Sequence, residues 1–380
     1  MKNNLFWVLG VKEFTLILIL LVGLIGSCII TPLKVEATQK ENVKSLSDNY
    51  GNWTLIWEYK TDYIIKRVSI SSDGNYIAAV GDNWESDVGR NDVLYLLTGD
   101  GKLLWKKDSR TFFGSSNWIH DVSISQNATY IAVGSEGTTY LLQRDGSIIW
   151  KKEQLEGMNF VSISDDGNYI AVGTYPIGVG WVHFFNRSCY ELWNFSTVGS
   201  VISISMSKNG KYVAVGDYKG YAYLLDNQGN LLWDRKFGEW CDVYVSTSID
   251  GDFIGVGISY GPIAIINRNG DWILNLTEVQ HSIKSTSITS NGNFLFVAAE
   301  NEGLRIYNAT GKLYSSFKAR EKVLDVDITP EGIRVVIGSD DLRIYLLENP
   351  IIPELPSTHI VAIFMIAILL AVIVYKRKYH

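Results

Sequence analysis

The phrase VSISSDGNYIAAVG, beginning at Val68, returns six more times along this 380-residue chain. Close relatives begin at Val122, Val161 and Ile202, and fainter ones at Val245, Thr286 and Val326. The turn position falls on Gly74, Ala128, Gly167, Gly210, Gly251, Gly292 and Gly332, at intervals of 54, 39, 43, 41, 41 and 40 residues. A fixed period of this length limits a chain to stacked or circular arrays of one supersecondary unit.

Each copy reads as four short strands. VSIS alternates apolar and small polar residues, the period of a strand. Asp-Gly or Asn-Gly follows in five copies, a strong hairpin signal. YIAVG forms the second strand, and runs such as YLLT or YLLD form the third. LLW and its relatives form the fourth. Four strands per 40–45 residues is the measure of a propeller blade. The reading is an all-β, seven-bladed β-propeller over residues 48–348. The seventh copy, Val326 to Glu348, lacks a Trp-bearing fourth strand. TLIWEYK at Thr54 to Lys60 has the form of that missing piece, so the N-terminal strand is expected to complete the last blade and close the ring.

Composition agrees with a β-rich core: 47% hydrophobic residues, 12 Trp, 21 Tyr and 34 Gly. The net charge of −6 gives no electrostatic footing for nucleic-acid binding. Residues 1–37 carry Lys2 and Lys12 before the apolar run Phe14 to Ile30 and read as a signal peptide or N-terminal anchor. Residues 38–47 and 349–358 read as linkers. Residues 359–375 read as a transmembrane helix, and 376–380 as a basic cytoplasmic tail. The expected location is the cell membrane, in a single pass with the propeller outside and the C-terminus cytoplasmic. Sequons begin at Asn52, Asn127, Asn186, Asn194, Asn275 and Asn308 and are glycosylation candidates. Cys189 and Cys241 are too few to form a disulfide framework, and the sequence leaves their pairing open.

The repeats resemble those of the WD-repeat and quinoprotein-like propeller superfamilies, most of all the exported, anchored propellers of archaeal and bacterial surfaces. The likeness runs from about Asn52 to Glu348. Only Trp233-Asp234 shows the Trp-Asp dipeptide, and it stands in the fourth strand, where the WD family carries it at the end of the third. The GKLLW endings are similar to the tryptophan docking motif of quinoprotein dehydrogenases. That resemblance implies that Trp57, Trp105, Trp150, Trp193 and Trp233 wedge between neighbouring blades. It does not carry over a quinone site, since the vicinal cysteine pair is missing.

Function is expected on the long loops opposite the tight hairpin turns. The candidate binding residues there are Trp84, Phe112, Phe113, Trp118, Tyr175, Trp181 and Trp240, because exposed aromatics are enriched at contact sites. Acidic residues recur after the second strand at Asp82, Glu136, Asp217, Glu300 and Asp340. A ring of carboxylates could hold a cation such as calcium, but residues so placed more often cap turns, and no metal site is assigned. No P-loop, HExxH or CxxC occurs, and no catalytic residue or cofactor is assigned. The sequence points to a non-catalytic module that binds an extracytoplasmic protein or glycan. The alternatives are a quinoprotein-like cofactor binder or enzyme and an envelope-assembly scaffold.

Overall fold

The computed structural model describes residues 53–82, 91–113 and 118–349, all within one compact unit. These residues are almost wholly β. Sheet I holds Ile64–Ile70, Tyr76–Asp82, Val93–Thr98 and Leu103–Asp108, hydrogen-bonded in that order. Sheet III holds Val201–Met206, Tyr212–Asp217, Tyr221–Asp226 and Leu231–Lys236. Sheet IV holds Val243–Thr247, Phe253–Ile258, Ile263–Asn267 and Trp272–Leu276. Sheet V holds Ile283–Ile288, Phe294–Ala299, Gly303–Asn308 and Leu313–Phe317. Sheet VI holds Val323–Ile328, Arg334–Ser339 and Arg343–Glu348, with Thr54–Lys60 as its fourth strand. Thr54 pairs with Glu348 and Lys60 with Arg343, so the first described strand lies antiparallel along the last.

Sheet II is different, and it corrects the expectation of seven blades with one sheet each. The described residues form six sheets, and the propeller is six-bladed on that count. Sheet II has six strands: Ile119–Ile124, Tyr130–Gln143, Ile148–Ile163, Tyr169–Tyr175, Trp181–Asn186 and Glu191–Ser196. It carries the copies of the repeat that begin at Val122 and Val161. The 14-residue run Tyr130–Gln143 pairs by its first half with Ile119–Ile124 and by its second half with Ile148–Glu153. Fully extended, it would span about 46 Å. Yet the Arg144 guanidinium just beyond its end donates to the Asn127 carbonyl just before its start, at 2.8 Å. The run therefore doubles back, and Gly137 at φ +64° supplies the reversal. Glu136 also pairs with Met158, which carries the ladder from one copy into the next.

Hydrophobic clusters lie between neighbouring sheets. Ala78, Val80, Leu94 and Leu96 of sheet I meet Ile131, Val133 and Leu142 of sheet II. Ile65, Val68 and Tyr95 of sheet I meet Val336, Ile344 and Leu346 of sheet VI. A sheet buried on both faces in this way needs apolar residues on both, which explains near-continuous buried runs such as VLYLL at Val93 to Leu97.

The fourth strand of every copy of the repeat carries the same irregularity. Its register with the third strand slips by one residue just before the position of Trp57, Trp105, Trp150, Trp193, Trp233, Leu274 or Ser315. A bulge there adds twist and spoils the edge as a template for a further strand. Beyond the bulge the five indoles reach the next unit of the ring. Their N–H groups donate to the carbonyls of Gly99, Arg144, Arg187, Asn227 and Arg268, at 2.7 to 3.2 Å. A Cβ on Gly229 would stand 2.9 Å from the Trp193 ring, and Gly229 sits at φ +85°, so this turn needs glycine on both counts.

Among the described residues no helix is long and apolar enough to cross a membrane. The expected signal segment (1–37) and transmembrane helix (359–375) lie outside the described residues, as do both ends of the chain beyond 53–349. The expected single-pass membrane location, and the propeller orientation drawn from it, therefore gain no support from the structure.

Candidate functional site

The inner strands of all six sheets line one polar cavity on the ring axis, with a volume of about 150 Å³. Its walls follow the repeat. Five residues before the turn position stand Ser69, Ser123, Ser162, Ser205, Ser246 and Ser287, with Asp327 in the seventh copy. These side chains tie each inner strand to the next. Ser69 Oγ accepts from the Ile124 amide at 3.3 Å, Ser123 from Ile163 at 3.2 Å and Ser162 from Met206 at 2.9 Å. Ser205 accepts from Thr247 at 3.0 Å. Asp327 returns the pattern to the start by accepting from Ile70 at 2.9 Å. Inner strands have no sheet neighbour on the channel side, so their amides need such partners.

Two residues nearer the opposite face, the same alignment holds Arg67, Asp121, Phe160, Ser203, Tyr244, Ser285 and Asp325. Here the hydroxyl pattern breaks into charge. Burial pushes Asp121 up to about 7, against the pull of Arg67, and Asp325 up to about 6 for the same reasons. The sequence reading missed this cluster. Its signal was present as one arginine and two aspartates at a position where aligned copies carry serine or an aromatic residue.

The other region of interest is the face that collects the second-to-third-strand loops and the links between sheets. Trp240 sits in the link from sheet III to sheet IV at φ +54° and is 67% exposed. Its ring lies 5.4 Å from Tyr218, which lies 5.9 Å from Tyr175, so three segments of this face build one row of tilted aromatic rings. The Lys219 ammonium stands 5.2 Å from the Trp240 ring. Trp181, Ile177, Val179, Val198 and Tyr260 are exposed on the neighbouring loops of the same arc. Trp118 is also exposed, on the link into sheet II.

The expected binding residues divide on this geometry. Tyr175 and Trp240 come together through Tyr218, which the sequence reading had not singled out. Trp181 and Trp118 are exposed. Phe113 is instead buried, with its ring 4.5 Å from Tyr140, and belongs to the packing between sheets I and II. Phe112 closes the one-turn helix Ser109–Phe112 onto Phe113 at 4.8 Å, with the Lys107 ammonium 3.8 Å from its ring. Trp84 lies outside the described residues.

Four of the five recurrent carboxylates are engaged one by one. Asp82 bonds Lys66 at 3.3 Å, and Glu136 bonds His120 at 2.9 Å. Asp217 accepts from the Gly199 amide and the Tyr223 hydroxyl, both at 2.9 Å. Glu300 accepts from Lys322 at 2.9 Å and Ser282 at 2.7 Å, which hold it down to about 2. Among the described residues no group of three or more His, Cys, Asp or Glu is placed to hold a metal ion. Asn127, Asn186 and Asn308 each use the side-chain oxygen to fold a tight turn, accepting from Thr129, Ser188 and Thr310 at 3.0 to 3.1 Å. Asn194 and Asn275 are exposed on outermost strands, and Asn52 lies outside the described residues. Cys189 and Cys241 are both free thiols.

The family model described as WD domain, G-beta repeat, matches residues 106–143. That stretch begins in the outermost strand of sheet I and ends with Gln143 in sheet II. With the ring of sheets it supports a WD-repeat propeller. The quinoprotein likeness and the exported, anchored type gain no support from it. No curated protein matches the chain.

Proposed function

We propose that this chain is a non-catalytic interaction module that captures a protein partner on the aromatic arc of its loop face. One observation carries the reading: Trp240, Tyr218 and Tyr175 form a continuous row of rings whose outer member is 67% exposed. Large aromatic side chains supply contact area at low entropic cost and dominate interface energetics when a partner covers them. WD-repeat propellers are typical interaction scaffolds, and the loops here vary while the sheets repeat. In the axial channel, the cofactor-binding alternative is disfavoured by size. A cavity of about 150 Å³ is smaller than the roughly 300–1,000 Å³ of common ligand pockets.

The test is site-specific photo-crosslinking in cells that make the protein. A photoreactive residue at position 240 should give a discrete protein adduct. The same residue at position 190, which is 68% exposed on the rim, should not. Equal adducts at both positions would contradict a loop-face site. A carbohydrate adduct at position 240 would replace the protein partner with a glycan.

A further inference from the structure

Arg67, Asp121 and Asp325 come from the inner strands of sheets I, II and VI and meet at one end of the channel. Arg67 Nε stands 3.7 Å from Asp121 Oδ1. Its guanidinium carbon lies 5.9 Å from the centre of the Phe160 ring, so the side chain reaches past sheet II's first copy toward its second. Both carboxylates also hold backbone. Asp121 Oδ2 accepts from the Val161 amide at 2.9 Å, and Asp325 Oδ2 accepts from the Val68 amide at 2.7 Å. The three side chains thus fasten the strands on either side of sheet I, where the ring closes.

The charges do not balance. Arg67 faces two carboxylates, Asp121 at 3.7 Å and Asp325 within its electrostatic reach, and when both are ionised one negative charge stays uncompensated. A proton is the smallest group that restores balance. We propose that Arg67, Asp121 and Asp325 form a proton-operated clasp, in which uptake of a proton near neutral pH balances the cluster and tightens ring closure.

The surroundings leave this imbalance in place. Tyr244 of sheet IV faces the cluster, but burial and Asp242 raise it to about 12, so it stays neutral. From sheet V, Ser285 carries no charge, and the Lys284 ammonium is bound to Glu300 at 3.3 Å. Beside Arg67, Lys66 is bound to Asp82 and Asp92. Beside Asp121, His120 is bound to Glu136. One layer on, Asp327 is raised by burial and drawn down by Lys208, and it serves the Ile70 amide.

The raised values of about 7 and 6 set the sign. Between these and the unfolded value near 3.9, the folded chain binds more protons than the unfolded one. Stability from the clasp is therefore gained as pH falls through about 7 and lost as pH rises through it. The folding equilibrium should gain up to about tenfold per pH unit and per group in that window.

The experiment is urea unfolding of the full chain from pH 8 to pH 5, for wild type, Asp121→Asn and Asp325→Asn. The groups outside the cluster are common to all three proteins, so the difference between variants reads the clasp. Asp121→Asn should be more stable than wild type at pH 8 and should lose about tenfold per pH unit of the wild-type slope. Unchanged slopes in both variants would overturn the proposal. Should a variant fail to fold, the infrared carboxyl band of folded wild type decides. A protonated carboxyl growing in between pH 8 and pH 6 supports the clasp, and none at pH 6 overturns it.

Discussion

The rim and the loop face are both rich in aromatic side chains, and they use them in opposite ways. On the rim, Trp57, Trp105, Trp150, Trp193 and Trp233 are partly buried, and each indole N–H is spent on a carbonyl of the next unit. On the loop face, Trp240 stands 67% exposed, with its ring against Tyr218 and Lys219. The difference teaches that aromatic content alone does not mark a binding surface. An indole with its hydrogen bond satisfied and its ring packed is architecture. A row of rings with open faces is available to a partner.

Removing a rim indole should have the largest effect. Trp193 stacks on Phe184 at 4.7 Å and holds the Asn227 carbonyl of sheet III. Trp193→Ala should cost about 3 kcal/mol of unfolding free energy, read by urea denaturation. A loss below about 1 kcal/mol would break the division between rim and face. Glu300 sharpens it from the other side, because it lies on the loop face yet works structurally. Lys322 and Ser282 hold its carboxyl down to about 2. Its contribution is thus present above the unfolded value near 4.3 and lost as pH falls toward 2. Glu300→Gln should cost about 1 kcal/mol at neutral pH, and the variant should lose that part of the acid sensitivity of wild type. Melting curves at pH 7 and pH 3 decide it.

A smaller effect is expected where the rim lacks an indole. Leu274 occupies the Trp position of sheet IV, opposite Gly311 of sheet V. Trp193 and Trp233 reach the carbonyl two residues before the facing glycine, which here is that of Ala309. Leu274→Trp should add that hydrogen bond and stabilise by about 0.5 kcal/mol, measurable as a shift in urea midpoint. A loss instead would mean that the sheet IV–V seam is packed around leucine.

Much of this architecture was legible because each blade repeats a local rule. Asp-Gly and Asn-Gly turns, alternating VSIS strands and the LLW ending are each readable from a few neighbouring residues. TLIWEYK could be assigned to sheet VI because the seventh copy lacked its counterpart. The sheet count was not legible. The two-residue reversal at Glu136 and Gly137 keeps the ladder unbroken, and Gln154 and Gly157, both at positive φ, return the chain to pair Met158 with Glu136. A motif count cannot see that hydrogen bonding runs on through a turn. The loop-face placement of Tyr175, Trp181 and Trp240 was legible from loop length and residue type. Phe113 looked the same in sequence but is buried against Tyr140. Arg67, Asp121 and Asp325 are far apart in sequence, and only alignment of the copies brings them to one level.

The central claim is that loop-face rings recognise a partner while rim rings hold the fold. The most direct measurement is partner capture by full-length Trp240→Ala, with its melting temperature recorded on the same preparation. At so exposed a position the stability change should stay within about 0.5 kcal/mol. The account predicts an unchanged melting temperature and capture reduced at least tenfold. Full capture at unchanged stability would contradict it.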